Sequence, residues 1–138
     1  MKSLTLKALE TFSGDRYATQ LTGVKIELVE PSSARCSLTI EEHHRNAMGS
    51  VMGGVMFTLA DFTFAVAANS ACLADDSPIQ WVSTNSNIHY LSQPQGNRLS
   101  AQAECLKQGK SSCLFQIRIL DDNDRLTAVV TTEGRRIK

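Results

Sequence analysis

Between Gly53 and Leu73 the chain runs for 21 residues, GGVMFTLADFTFAVAANSACL, with one charge, Asp61. No proline interrupts the run, and no glycine follows the opening pair. A stretch of this length and apolarity either crosses a membrane or forms a helix buried among other elements. Thr58, Asp61, Thr63, Asn69 and Ser70 dilute it, and no Lys or Arg flanks its C-terminal end closely. A membrane span wants such anchors, so the buried helix is the expectation. Ser50 is its expected N-cap.

The rest of the 138 residues must supply the walls around that helix. Residues 1–16 read as a short helix or arm, with Leu4 to Phe12 helical and Gly14-Asp15 ending it. Val24, Ile26 and Leu28 alternate with Lys25 and Glu27, as on a half-buried strand. Pro31-Ser32-Ser33 turns the chain into a second strand, Ala34 to Ile40. After the helix come a loop, Asp75-Asp76-Ser77-Pro78, and four strand-like stretches: Trp81 to Leu91, Arg98 to Gln108, Lys110 to Leu120 and Leu126 to Ile137. Gly109 and the run Asp121-Asp122-Asn123-Asp124 read as hairpin turns, which makes neighbouring strands antiparallel. Strands clustered around one helix give an α+β fold and not alternating βαβ units. The expectation is a single domain over residues 1–138, an antiparallel sheet of five to six strands wrapped around one long central helix.

Charge narrows the partners. Lys and Arg number 14, and so do Asp and Glu. With no net charge there is no global attraction to nucleic acid or to an anionic membrane, so neither is an expected partner. A phosphate-bearing ligand must be held by a local patch. The four cysteines, Cys36, Cys72, Cys105 and Cys113, form no CxxC pair and no zinc-like spacing, so no metal site is expected. They read as four buried thiols in a reducing cytosol. Lys7 lies where an export signal would need its apolar stretch, and a cytoplasmic location is the expectation.

Asp61 carries the chemistry. An ionised carboxylate in apolar surroundings is paired, exposed or functional, and the sequence of this helix offers no polar face for it. Gly53-Gly54 opens the helix, where the first N–H groups lack partners and the dipole is positive. Two glycines let a ligand approach that backbone, which suits a developing oxyanion, although a tight helix start for packing alone would look the same. Eight residues separate Gly53 from Asp61, ~12 Å along a helix axis. One carbonyl cannot touch both, so a shared site requires two copies of the chain related by a two-fold axis.

The run HHRNAMGSVMGGVMFTLADFTFAVAANS resembles the signature of the hotdog-fold thioesterase superfamily, most closely the phenylacetic-acid-pathway type of acyl-CoA thioesterase. The stretches VSTNSNIHYLSQP and LKQGKSS are similar to that family in the same order. The resemblance implies Asp61 as general base or nucleophile and the Gly53 N–H as the group polarising the thioester carbonyl. It implies Asn46 near the scissile bond and Ser83 as a hydroxyl positioning water or carboxylate. Met52 and Gly54 would border the substrate. Lys107, Gly109, Lys110 and Ser111 would lie near the CoA nucleotide, with Arg98 as a further cation. It implies acyl-CoA as substrate, no cofactor beyond the CoA of the substrate itself, and a homodimer or a dimer of dimers with sites between subunits.

One departure matters. The family commonly reads His-Gly-Gly at the helix start, whereas this chain has Met52-Gly53-Gly54. Methionine neither donates a hydrogen bond nor titrates. Hydrolysis of a small or medium, or aromatic, acyl-CoA is the leading expectation. A non-catalytic acyl-CoA-binding protein is the alternative, motivated by Met52. An enoyl-CoA hydratase would want an Asp/His pair, and no His lies at suitable spacing from Asp61. Phe57, Phe62, Phe64, Met52 and Met56 are the expected pocket walls.

Overall fold

A computed structural model describes residues 1–137; Lys138, the last residue of the expected domain, lies outside the described residues. The elements are α1 (Leu4–Phe12), a π-helical turn (Tyr17–Thr22), β1 (Lys25–Glu30), β2 (Ser33–Thr39), a 3₁₀ turn (Glu42–His44), α2 (Gly53–Ala68), α3 (Ser70–Ala74), β3 (Trp81–Tyr90), β4 (Arg98–Gln108), β5 (Ser112–Leu120) and β6 (Leu126–Arg136). The six strands make one antiparallel sheet in the order β1-β2-β4-β5-β6-β3. The α+β expectation of one antiparallel sheet around a long helix therefore holds.

Complementary sizes explain why α2 lies on this sheet. The helix brings Leu59, Phe64 and Val66, all fully buried. The central strands answer with Ala101, Ala103 and Ala128 beside Leu99, Phe115, Ile117 and Ile119. Small residues facing large ones let the layers interdigitate at interior density. The Phe64 ring meets Phe115 edge-on, with centroids 5.5 Å apart. Its tip lies where a side chain on Gly134 would be, since a Cβ there falls 2.7 Å from Phe64 Cζ.

Three local expectations need correction. The apolar run is not one helix. Asn69 leaves helical geometry (φ −98°, ψ 12°) and separates α2 from α3. Its side chain causes the break. Nδ2 donates to Ala65 O (2.8 Å) and Trp81 O (3.1 Å), while Oδ1 accepts from Gln80 N and Trp81 N. Burying an amide requires this full set of partners. Ser50 is not the N-cap. Met52 occupies that position with no side-chain cap, while Ser50 donates its N–H to Asn46 Oδ1 and accepts from Asn46 N. The fifth strand begins at Ser112 instead of Lys110, because Gly109 N closes the hairpin onto Ser112 O.

Candidate active site

Helix α2 is not buried all round. Gly54 and Asp61 are exposed, and Phe57, Thr58 and Ala65 are half-buried. Spaced three and four apart, these residues form one strip along the helix. The sequence hid this strip because its members are glycine, phenylalanine, threonine and alanine as well as the aspartate. Asp61 is thus solvent-facing in a single chain, contrary to the expectation of a helix with no such face.

Exposure does not leave Asp61 in bulk water. It lines a cleft of about 300 Å³ with Phe64 and Ala65 of α2, Thr11, Phe12 and Asp15 at the end of α1, and Trp81, Val82 and Ser83 of β3. Desolvation in that cleft pushes its carboxyl above the usual aspartate range, the Ser83 hydroxyl draws it back down, and the Asp15 carboxylate pushes it up again. A carboxylate made more basic in this way is a better proton acceptor near neutral pH.

Two features place Ser83. Asn69 ties the start of β3 to the end of α2 through Trp81. The β3–β6 register then slips between Ser83 and Asn85, so that Thr84 is bulged and its hydroxyl donates to Glu133 O. A bulge re-aims the neighbouring side chain, and Ser83 is the neighbour that reaches Asp61.

The start of α2 is open to a ligand. Among the described residues no backbone or side-chain acceptor in the same chain takes the Gly53 or Gly54 N–H. The missing cap at Met52 is the structural cause, leaving the positive end of the helix dipole unfilled. Gly53 also lies close under a side chain. Tyr90 Oη donates to Gly53 O at 2.9 Å, and a Cβ on residue 53 would fall 2.8 Å from that oxygen. Met52 is 53% exposed at the mouth of this site. Asn46, exposed, uses Oδ1 to accept from Met48 N and Ser50 N.

The histidines do not enter the cleft. His44 is buried, with Nδ1 accepting from Glu41 N and Nε2 facing Thr22 O at 2.7 Å. Those partners assign the neutral Nε2–H tautomer. His43 and His89 are exposed and line no part of the Asp61 cleft.

The expected cations divide. Lys107, Gly109, Lys110 and Ser111 occupy the β4–β5 hairpin tip, which packs on the end of β6: Arg136 N donates to Ser111 O and its guanidinium to Lys110 O. Trp81 pairs with Arg136, and Tyr90 with Ala128. The tip thus lies at the Trp81 end of β3, roughly 30 Å of strand from the Tyr90–Gly53 end. Arg98 does not join them. It begins β4 at the opposite end and its guanidinium is paired with Glu27 at 2.8 Å. Of the expected walls, Phe64 lines the cleft, whereas Phe62 and Met56 are buried outside it.

The family model described as "Thioesterase superfamily" matches residues 48–128, more than half of the chain. The chain belongs to the thioesterase superfamily. Human acyl-coenzyme A thioesterase 13 is 32% identical over 117 residues, covering 83% of this chain and 79% of the relative. The acyl-coenzyme A thioesterase PaaI of Escherichia coli is 29% identical over 116 residues, with coverages of 83% and 79%. The solved structure of the E. coli PaaI protein from the phenylacetic acid degradation operon superposes with a TM-score of 0.83 at 25% identity, over 99% of this chain and 97% of that one. The fold is accordingly the hotdog fold.

In this thioesterase three contributors to the site escaped the sequence reading. Asp15 lines the same cleft from a loop 46 positions earlier and acts on Asp61 through its charge, a proximity the packing of α1 creates. Tyr90 seals the Gly53 backbone from the far end of β3. Asn69 joins α2 to β3. Only Asn69 left a trace, as a lone amide at the end of an apolar run.

Proposed function

We propose that this thioesterase hydrolyses a small or medium acyl-CoA, with Asp61 as general base or nucleophile and the Gly53 N–H as oxyanion donor. The observation that carries the reading is Asp61 itself: the single charge of α2, made more basic by its cleft, with the Ser83 hydroxyl beside it. Water loses a proton to the carboxylate while its oxygen attacks the thioester carbon. The charge gathering on the carbonyl oxygen is met by the open helix start. Collapse of the adduct expels the CoA thiolate and leaves the free acid. Direct attack by Asp61 through an anhydride reaches the same products.

The two groups lie ~12 Å apart on one helix, so the site takes Asp61 from one copy and Gly53 from another. The surface supports a two-fold dimer. β3 is an edge strand of ten residues whose outer side is largely exposed, including Val82 and Tyr90, and it lies beside the open strip of α2. Such an edge invites pairing with a second copy. Antiparallel β3 strands would set each Asp61, with the hairpin tip at the same end of β3, near the partner's Gly53, so that Lys107 and Lys110 would meet the CoA phosphates beside Gly109 and Ser111. A Streptococcus pneumoniae hypothetical thioesterase solved with coenzyme A shares the fold, with a TM-score of 0.80.

A binding-only role is the second reading, favoured by Met52 at the helix start, which contributes no donor. Thiol release from short, medium, long-chain and aromatic acyl-CoAs, measured for the wild type and Asp61→Asn, decides between them. Hydrolysis by the wild type that Asp61→Asn abolishes supports the hydrolase. Binding without thiol release supports the other. Single turnover in ¹⁸O-water then separates the routes, since only the anhydride puts label into the Asp61 carboxyl.

A further inference from the structure

The cleft beside Asp61 has two walls, and a thioester has two arms to place. Trp81 and Val82 form one wall, on the side of β3 that leads to the β4–β5 hairpin and its lysines. Thr11, Phe12 and Asp15 form the other, from the end of α1. If the CoA arm follows the first wall toward the cations, the acyl arm is left to point at α1.

Phe12 is the residue it meets. A second cavity, of about 460 Å³, lies on the other side of the α1 end, between α1, the π-helical turn and β1. Leu9, Val24 and Ile26 give it apolar walls. Phe12 is the one residue that lines both cavities. Its ring is 5% exposed and held edge-on against Phe62, with centroids 5.8 Å apart. Phe12, braced by Phe62, therefore stands between the Asp61 cleft and a second, partly apolar groove.

We propose that Phe12 is the end wall of the acyl subsite and sets the length of acyl group this enzyme accepts. The inference rests on the hydrolase reading above and names its substrate class: acyl groups short enough to stop at the Phe12 ring. An alkyl tail is the occupant the groove behind suits, because its lining matches hydrocarbon and its rim charges, Lys25 and Glu27, are of opposite sign. With the ring removed, the cleft opens toward the apolar walls of Leu9, Val24 and Ile26, and longer tails gain buried surface there.

The test is kcat/KM across butanoyl- to hexadecanoyl-CoA for the wild type, Phe12→Ala, Phe12→Leu and the double variant Phe12→Ala/Leu9→Trp. The wild type is expected to lose efficiency as the chain lengthens. Phe12→Ala is expected to raise the dodecanoyl-to-butanoyl ratio about tenfold or more, the range that a few added methylene contacts supply. Phe12→Leu, which keeps the packing on Phe62 largely apolar, falls between. Leu9→Trp, placed on the exposed lip of the groove, returns the ratio toward the wild-type value. A wild type that already prefers dodecanoyl-CoA, or an unchanged ratio in folded Phe12→Ala and Phe12→Leu, overturns the proposal. If the wild type cleaves no thioester, the hydrolase reading fails on its own. Calorimetric binding of dodecanoyl- and butanoyl-CoA to wild type and Phe12→Ala then decides the wall: a length dependence that the variant does not change overturns it, and one that relaxes supports it.

Discussion

Two aspartates of this chain have opposite fates. Asp121, in the β5–β6 turn, is 4% exposed. Its Oδ1 accepts from Asn123 N and Arg125 N, and its Oδ2 from Gln95 N and Arg125 Nε. Desolvation pushes its carboxyl up, but the Gln95, Arg125 and Asn123 amides and the Arg125 guanidinium outweigh it, and the net shift is downward. Asp61 is exposed in one chain, yet its carboxyl is shifted up, with one hydroxyl to hold it and a second carboxylate across the cleft. The direction of each shift is set by the balance of desolvation against donors, not by exposure alone. The turn is built around its charge, whereas the helix leaves its charge with few donors.

The strongest way to break this contrast is to neutralise both. Asp61→Asn is expected to lower kcat by about a hundredfold or more, the usual scale for losing a general base. Its melting temperature should hold or rise. The sign follows from the upward shift: the folded state favours the protonated form, so ionised Asp61 costs stability at neutral pH, and an amide removes that cost. A marked fall in melting temperature would mean that Asp61 holds the fold together. Asp121→Ala should do the reverse. It leaves the Asn123, Arg125 and Gln95 amides without their acceptor and is expected to cost about 2–3 kcal/mol in denaturant unfolding, with kcat unchanged in the folded fraction. The acid limb of stability sharpens the point. The lowered carboxyl of Asp121 contributes stability above its unfolded value near 3.8, lost as pH falls through the folded value. Acid unfolding of Asp121→Ala should therefore depend less on pH in that range than that of the wild type.

Asn69 gives a third test, of intermediate size. Asn69→Leu removes four hydrogen bonds and leaves the Trp81 amide buried without an acceptor. A loss of about 2 kcal/mol is expected, together with lower kcat, because the start of β3 is what carries Ser83 to Asp61. Full activity in the folded variant would show that Ser83 finds its place without the tie.

The same residues show what a sequence can and cannot carry. The long helix, the hairpins and the order of strands were legible because period, turn residues and length are local properties. Asp61, Gly53 and Ser83 stood out as candidate positions, by charge, backbone freedom and resemblance. The break at Asn69 was not, because an amide ends a helix only when strangers in sequence, here Gln80 and Trp81, arrive to satisfy it. Arg98 looked like a phosphate ligand until β1 placed Glu27 beside it. The open strip of α2 was hidden for a related reason: composition records how apolar a helix is, and the fold decides which side it leaves uncovered.

The smallest expected effect concerns Asp15. Its carboxylate faces Asp61 across the cleft, and its own carboxyl is pushed up by desolvation there. Asp15→Asn keeps the shape and removes the charge. With one cause of its upward shift gone, Asp61 should titrate at lower pH. The acid limb of kcat/KM, which reports groups of the free enzyme, should move down with it. The activity plateau should change little, since the variant alters when the base is ionised and leaves its place in the cleft intact. An acid limb that stays where it was, with the plateau unchanged, would mean that desolvation alone makes Asp61 basic. A limb that moves up would mean that Asp15 serves Asp61 as a proton-sharing partner, and the contrast with Asp121 would then be one between two ways of supporting a carboxylate.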